Sequence, residues 1–299
     1  MSDESAAEVL HISKNPLKIA MGQLFELIGR FPPIGWYAAH IAPRRLALEE
    51  VAVTLPALPP GLAGLRIGFL SDIHHVPGRP VALLARAVEL LNAAGPDLVL
   101  LGGDYVNSTS RDFARPLALF ARLRAPLGVY GILGNHDYWA GADYLAALLA
   151  GAGVTMLRNE ARRVETPGGA PCWIVGVDST VRRHDDLEEA LAGVPGDEFR
   201  LLLAHEPEVA DTIIGRNLRV DLQLSGHSHG GQVVLPGIGA PLLPTLGRRY
   251  LRGLSASPTH PVYTSRGLGT VSPFLRFNCP PEVTVLTLRA AGDDGAAGV

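Results

Sequence analysis

An α/β fold, with helices outside a largely buried sheet system, is what this chain predicts. Three observations carry the prediction. Apolar runs of strand length alternate with amphipathic runs of helix length, Gly and Pro punctuate the joins, and five apolar runs end within a residue or two in Asp, His or Asn. In open α/β sheets the ligand crevice lies beyond the carboxyl ends of the strands, so those five polar endings are expected to converge.

The acidic, polar residues 1–14 predict a loose tail. In 17–31, Leu17, Ala20, Met21, Leu24, Leu27, Ile28 and Phe31 share one helical face, Lys18, Gly22, Glu26 and Arg30 occupy another, and Pro32 and Pro33 stop the helix. The aromatic stretch GWYAAH then leads to Arg44 and Arg45. LEEVAVTLPAL alternates as a strand, and LRIGFLSDIHH is an apolar run with an abruptly polar end. VALLARAVELLNAAG is an amphipathic helix closed by Gly95 and Pro96, and DLVLLGGDYV is again a strand ending in an acid. Residues 112–124 predict a helix, GVYGILGNHDYW a strand, and 141–152 a further helix. Strands follow near 154–157 and 171–177, then a short helix in DDLEEALAG with Asp185 or Asp186 as its cap. RLLLAHEP, DLQLSGHSHGG and QVVLPG repeat the strand pattern, and VYTSRGLG and EVTVLTL add two more strands. The organisation read from this is an N-terminal tail and amphipathic helix over 1–45, one catalytic domain over 46–290, and a disordered tail at 291–299.

With 47% hydrophobic and 18% charged residues the chain can bury a sizeable core. A net charge of −3 argues against a nucleic-acid partner held by broad electrostatics. It leaves a phosphate substrate open, because bound divalent metals reverse local charge without appearing in a residue count. Cys172 and Cys279 make neither a disulfide framework nor a CxxC pair, and Cys172, inside PCWIVGV, reads as a buried structural thiol. The N-terminus lacks a basic n-region, an apolar h-region and a twin arginine, and no stretch reaches the roughly 18 apolar residues of a membrane span. A cytoplasmic location is the expectation. The stripe in 17–31, flanked by Lys14, Lys18, Arg44 and Arg45 and by Trp36 and Tyr37, adds peripheral contact with the inner membrane through residues 17–37. The same pattern also describes a helix packed on its own domain.

The chemistry lies in five clusters: Asp72-Ile73-His74, Gly103-Asp104, Gly134-Asn135-His136-Asp137, His205, and Gly226-His227-Ser228-His229. On extended chain, i and i+2 side chains point the same way, so Asp72 with His74, and His227 with His229, could each grip one ion. Gly102, Gly103, Gly134, Gly226, Gly230 and Gly231 let the backbone turn beside a crowded site. Mixed carboxylate, amide and imidazole donors without thiolates suit Mn, Fe, Zn, Co or Ni better than Ca or structural zinc. Each cluster alone is weak, but all five at strand ends make coincidence a poor explanation.

At this point the chain resembles the calcineurin-like metallophosphoesterase superfamily, whose pattern DxH, GD, GNH(D/E), H, GHxH appears in order over about residues 65–288. The resemblance implies a four-layer fold of two packed mixed sheets with helices on both outer faces, and two divalent metal ions. It implies that Asp72, His74, Asp104 and His229 bind one ion, with Asp104 bridging to a second held by Asn135, His205 and His227. It also implies that His136 stabilises the transition state or protonates the leaving oxygen, with Asp137 orienting it. Two metals sharing a water can lower its pKa and hold it in line with phosphorus. Many members continue GD-x-x-D, whereas this chain has Asn107 at the last position. With the doubled His74-His75 and the closing stretch SRGLGTVSPFLRFNCPPEV, that departure is similar to a membrane-associated bacterial phosphodiesterase branch. Arg248, Arg249 and Arg252 could grip a phosphate or form a solvated basic loop, His75 could face substrate or support a ligand, and His184 reads as surface. The function this predicts is hydrolysis of a phosphodiester or lipid-linked ester. The alternatives are pyrophosphate cleavage in a nucleotide-linked acylated sugar and a non-catalytic scaffold of the same fold.

Overall fold

Side-chain alternation along the central strands sets the layering. In β2 (Arg66–Leu70), Ile67 and Phe69 enter a core shared between two sheets, while Leu70 faces helices. In β3 (Leu98–Leu101), Leu98 and Leu100 point inward and Val99 and Leu101 outward, so the run LVLL is apolar throughout because both faces are covered. The computed structural model describes residues 23–24, 27, 31–33, 45–76, 81–107, 113–244, 246–272 and 274–292.

The first sheet has the order β1-β12-β2-β3-β4-β5, adding β1 (Ala47–Leu55), β4 (Val129–Gly131), β5 (Thr155–Met156) and β12 (Glu282–Ala290). Strands β2 to β5 run parallel, β12 runs antiparallel to β2, and β1 is parallel to β12. Helix α1 (Ala82–Ala94) lies on its outer face through Leu84, Ala87, Val88 and Leu91, and ends at Gly95 in the left-handed region. After it come the single turn α2 (Ala114–Leu117), with Phe113, Leu117 and Phe120 buried, then α3 (Asp137–Ala140) and α4 (Ala142–Gly151).

The second sheet has the order β10-β11-β9-β8-β7-β6 and comprises β6 (Glu160–Glu165), β7 (Pro171–Val177), β8 (Phe199–Ala204), β9 (Leu222–Ser225), β10 (Gly253–Ser255) and β11 (Val262–Thr264). Its central strands are parallel, and β6 and β10 are antiparallel edges. Leu201 and Leu203 of β8 meet the first sheet. Leu202 and Ala204 meet α5 (Leu187–Leu191) and α6 (Val209–Gly215) on the other side. Three apolar interfaces thus separate four layers, helix, sheet, sheet, helix, and the ends of β2, β3, β4, β8 and β9 carry the five polar clusters.

Several elements differ from the sequence reading. The helix expected over 112–124 is α2 followed by a 3-10 turn, Ala118–Arg122. QVVLPG forms no strand: Gln232 is left-handed, at φ 51°, and Val233 and Leu235 make only isolated bridges, to Phe277 and Gly239. Strand β6, helix α6 and the edge strand β10 were not expected. Asp186, one of the two cap candidates, does cap α5, accepting from Glu189 N at 2.9 Å. Both cysteines are buried and free.

Most of the N-terminal helix expected over 17–31, together with Lys14, Lys18, Trp36, Tyr37, Arg44 and the tails 1–14 and 293–299, lies outside the described residues. Gln23, Leu24 and Leu27 are helical, Phe31 is a bend, and Pro32 and Pro33 are helical again, so the first helix ends ahead of the proline pair. Among the described residues no helix is long and apolar enough to cross a membrane.

Candidate metal centre

Five of the residues at the strand ends have backbones that L-residues avoid. Asp72, His74, Asp104, His227 and His229 have φ of 51°, 44°, 55°, 68° and 52°. Each such conformation costs on the order of 1–3 kcal/mol and persists only where the surroundings impose it. The two pairs therefore converge through left-handed turns, and not through the pleat of an extended chain as the spacing suggested. Gly103, Gly230 and Gly231 take the left-handed turns expected of them, while Gly134 and Gly226 act by close approach: a Cβ on Gly134 would stand 2.2 Å from Asp104 Oδ1, and one on Gly226 would stand 2.3 Å from Asp72 Oδ2.

The side chains meet at ligand spacing. His74 Nε2 lies 3.3 Å from Asp104 Oδ2, 3.8 Å from Asp72 Oδ1 and 3.0 Å from His229 Nε2. His229 Nε2 is 3.4 Å from Asp72 Oδ1, His205 Nε2 is 3.2 Å from Asp104 Oδ2, and His227 Nδ1 is 3.1 Å from Asn135 Oδ1. Donor atoms that share one ion at about 2.1 Å, at octahedral to tetrahedral angles, stand about 3.0–3.4 Å from each other. Three overlapping groups could each hold an ion: Asp72, His74 and His229; Asp72, Asp104 and His205; and His74, Asp104 and His136. Among the described residues Asp72, His74 and Asp104 each belong to two of these groups, and the donor set fits two divalent ions.

A surrounding shell orients these donors. His205 Nδ1 donates to Gly102 O at 2.7 Å, which points Nε2 at Asp104. Asp72 accepts from Ser71 Oγ at 2.6 Å and from His227 N at 3.0 Å, which locks the β2 loop to the β9 loop. Asp104 Oδ1 accepts from His136 N at 2.8 Å, so only Oδ2 faces the imidazoles.

Asp137 acts through the main chain. Its carboxylate accepts from the backbone N–H groups of Gly134, Asp104, Tyr105 and Val106 at 2.8, 2.9, 2.8 and 3.4 Å. It ties the Asp104 loop to the Asn135 loop and positions His136 through the main chain, while His136 Nδ1 has no hydrogen-bond partner. The His136 ring packs edge-on against Trp139 at 4.2 Å and His74 at 4.6 Å. Arg182 lies over Trp139 at 5.3 Å and donates Nε to Asn135 O at 3.0 Å.

Two supports had no sequence signal. Glu206, fully buried behind His205, accepts from Ser179 Oγ at 2.6 Å and from the amides of Thr180 and Val181. Arg276, 4% exposed, donates to the carbonyls of Gly269, Arg266 and Gly267 at 2.6, 2.7 and 3.0 Å, and so fixes the loop whose Gly269 N holds Asp72 O at 2.7 Å. Cys279 Sγ donates to His229 O at 3.3 Å.

The softer candidates stay apart from the site. Arg249 pairs with Asp211 at 2.7 Å, and neither it, Arg248 nor Arg252 lines the cleft over the metal ligands. His75 packs edge-on to Phe113, and the exposed His184 stacks on Tyr138 at 4.6 Å.

Burial and charge set the protonation. For Asp104 burial acts upward, but the facing His205 and His136 and the bonds to His205 and His74 hold its carboxyl well below the usual range. Burial opposes a charge on His74, yet its bonds to Asp104 and Asp72 raise it to about 9. Burial pushes His136 down to about 3, so it is neutral near pH 7. Burial and the Asp104 charge push Asp137 up to about 7.

Below about 9 the metal-free protein therefore holds a proton on His74 that an ion must displace. Apparent metal affinity is expected to rise about tenfold per pH unit per displaced proton from pH 6 toward 9. Titration calorimetry in buffers of different ionisation enthalpy measures that proton release.

A family model described as calcineurin-like phosphoesterase matches residues 65–231. The chain is 31% identical over 257 residues to the uncharacterized metallophosphoesterase YkuE of Bacillus subtilis (strain 168), covering 85% of this chain and 89% of that protein. It is 35% identical over 233 residues to the phosphodiesterase YaeI of Escherichia coli (strain K12), covering 76% and 83%. A transmembrane protein with metallophosphoesterase domain from Bos taurus is 32% identical over 259 residues; the match covers 82% of this chain and 57% of that protein.

Proposed function

Given that the chain belongs to the calcineurin-like phosphoesterase family and is a metal-dependent phosphoric ester hydrolase, we propose that the bond it cleaves is a phosphodiester. The observation that carries the reading is Asp104 Oδ2, placed 3.3 Å from His74 and 3.2 Å from His205, which fits a carboxylate shared by two ions. Asp72, His74, Asp104 and His229 would hold one ion, and Asp104, Asn135, His205 and His227 the other. Two divalent ions there supply Lewis-acid charge for the phosphoryl oxygens and lower the pKa of water. His136, neutral near pH 7, enters as an N–H donor to a phosphoryl or leaving oxygen. Asp137, Glu206 and Arg276 hold the loops on which these groups sit. The relative of E. coli named a phosphodiesterase supports the diester over the monoester.

The test is elemental analysis of the purified chain, with assays on bis-p-nitrophenyl phosphate and p-nitrophenyl phosphate in the presence of manganese. About two ions per chain and preferential turnover of the diester are expected. A chain that takes up no metal under any loading condition sinks the reading and leaves a scaffold role.

Peripheral membrane contact through residues 17–37 is part of the same proposal. Leu24, Leu27 and Phe31 are 53%, 66% and 58% exposed, an apolar stripe that the domain does not cover. The bovine relative's name, a transmembrane protein, points the same way. The chain is expected to float with anionic liposomes, and Leu24→Asp with Leu27→Asp to abolish flotation. Wild-type chain left at the bottom of the gradient removes the membrane from the reading.

A further inference from the structure

Opposite the metal ligands the cleft changes character. It is open to solvent, and its apolar lining is Val233, Leu242, Leu243, Pro244, Val271 and Phe274. No Lys or Arg is among the described residues that line it. Of the polar side chains lining the cleft, Gln232 and Ser228 are committed to the protein itself. Gln232 donates Nε2 to Val271 O at 2.9 Å and accepts from Val271 N at 3.0 Å, which uses both ends of its amide. Ser228 Oγ donates to Leu251 O at 2.6 Å and accepts from Gly230 N at 3.1 Å.

The wall is one flap built from two segments. Gln232 ties Val233 and Val234 to Val271 and Phe277, helped by Phe277 N donating to Gln232 O at 3.0 Å and Val234 N donating to Phe277 O at 2.9 Å. The flap begins where the family match ends, at residue 231. It continues outward as an apolar rim: Phe274, which also lines the cleft, is 41% exposed, Phe277 is 43% exposed, and Ile238 in the Leu235–Gly239 turn is 72% exposed.

A nucleoside or sugar substituent requires polar partners for its ring atoms and hydroxyls, and a second phosphate requires cationic side chains. This wall is poor in both. A diester carries one negative charge, which the ions beneath it neutralise, and its uncharged substituent needs only an apolar surface.

We propose that the flap is a subsite for an aliphatic substituent, so that the substrate class is a phosphodiester with at least one long alkyl group lying against Val233, Leu243, Val271 and Phe274. The inference rests on the phosphodiesterase reading of the metal centre.

The experiment uses the full chain loaded with manganese and the methyl, butyl and octyl esters of p-nitrophenyl phosphate, below their aggregation concentrations. Thymidine 5′-p-nitrophenyl phosphate is the polar comparator. In each case water adds to phosphorus, the bond to p-nitrophenolate breaks, and the alkyl or nucleoside monoester is released with one proton. The ratio kcat/KM is expected to rise about two- to four-fold per methylene until the chain passes the rim. Leu243→Gln and Phe274→Ser are each expected to flatten that slope, read as the octyl-to-methyl ratio within each variant. A flat series in the wild type with the methyl ester turned over overturns the subsite alone. So does a slope unchanged by both substitutions, or a thymidine ester preferred to the octyl ester. No turnover of any diester by metal-loaded chain overturns the phosphodiesterase reading itself, and the subsite with it.

Discussion

Replacing Asp104 with Asn is expected to lower phosphodiester turnover by about 10³-fold or more, since the shared Lewis-acid site is worth several kcal/mol and each 1.36 kcal/mol is a factor of ten. Metal content should fall from about two ions per chain to one or fewer. The substitution is chosen because it separates charge from shape. The amide oxygen can still accept the His136 N–H that Asp104 Oδ1 takes at 2.8 Å, so the loop keeps its anchor. What disappears is the anionic Oδ2 between His74 and His205. A neutral amide oxygen is a poor bridge between two cations, and the imidazoles on either side lose the carboxylate that favours their charged forms. The pKa of His74, held at about 9 against burial by Asp104 and Asp72, should fall once Asp72 alone is left to oppose burial. Two measurements check this: metal per chain by elemental analysis, and the His74 titration by NMR in the metal-free protein. A variant that keeps two ions and near-normal turnover removes Asp104 from the bridging position.

The site and the central sheets were legible in the sequence for one reason. Strands β2, β3 and β8 are covered on both faces, so they read as near-continuous apolar runs, and the abrupt change to Asp, His or Asn marks the open end of a sheet. The same logic made β6 invisible. Its EARRVE is an exposed antiparallel edge whose charges protect it from pairing with another chain, and a polar strand looks like a loop. QVVLPG shows the opposite failure. Val233 is buried in a cleft wall and not in a ladder, and apolar content alone does not distinguish a surface kept for a substituent from a strand kept for a core. Supporting groups were illegible in a third way. Asp137 follows His136 in the chain, but nothing in that adjacency shows that four backbone amides claim its carboxylate. Arg276 spends its guanidinium on carbonyls ten and fewer residues away, and no spacing rule reports that.

Replacing His136 with Ala should lower kcat by about 10²–10⁴-fold, the usual range for a positioned acid–base or hydrogen-bonding group, and leave two ions bound. The geometry makes this a real choice between two roles, because His136 also lies within ligand range of His74 and Asp104. Loss of metal in step with loss of rate would make it a ligand. Full metal content with lost rate would make it a donor to the reacting phosphate. Its surroundings favour the second. Burial holds it at about 3, and positive ions nearby push it further down, so it stays neutral and no break from His136 belongs in the rate profile between pH 5 and 9. Trp139, at 4.2 Å and backed by Arg182, fixes the ring plane while leaving Nδ1 without a protein partner. Leaving-group dependence then locates the bond it makes. If His136 donates to the departing oxygen, the variant should lose more on an alkyl leaving group than on p-nitrophenolate, which departs unaided. If it donates to a non-bridging phosphoryl oxygen, both substrates should lose rate equally.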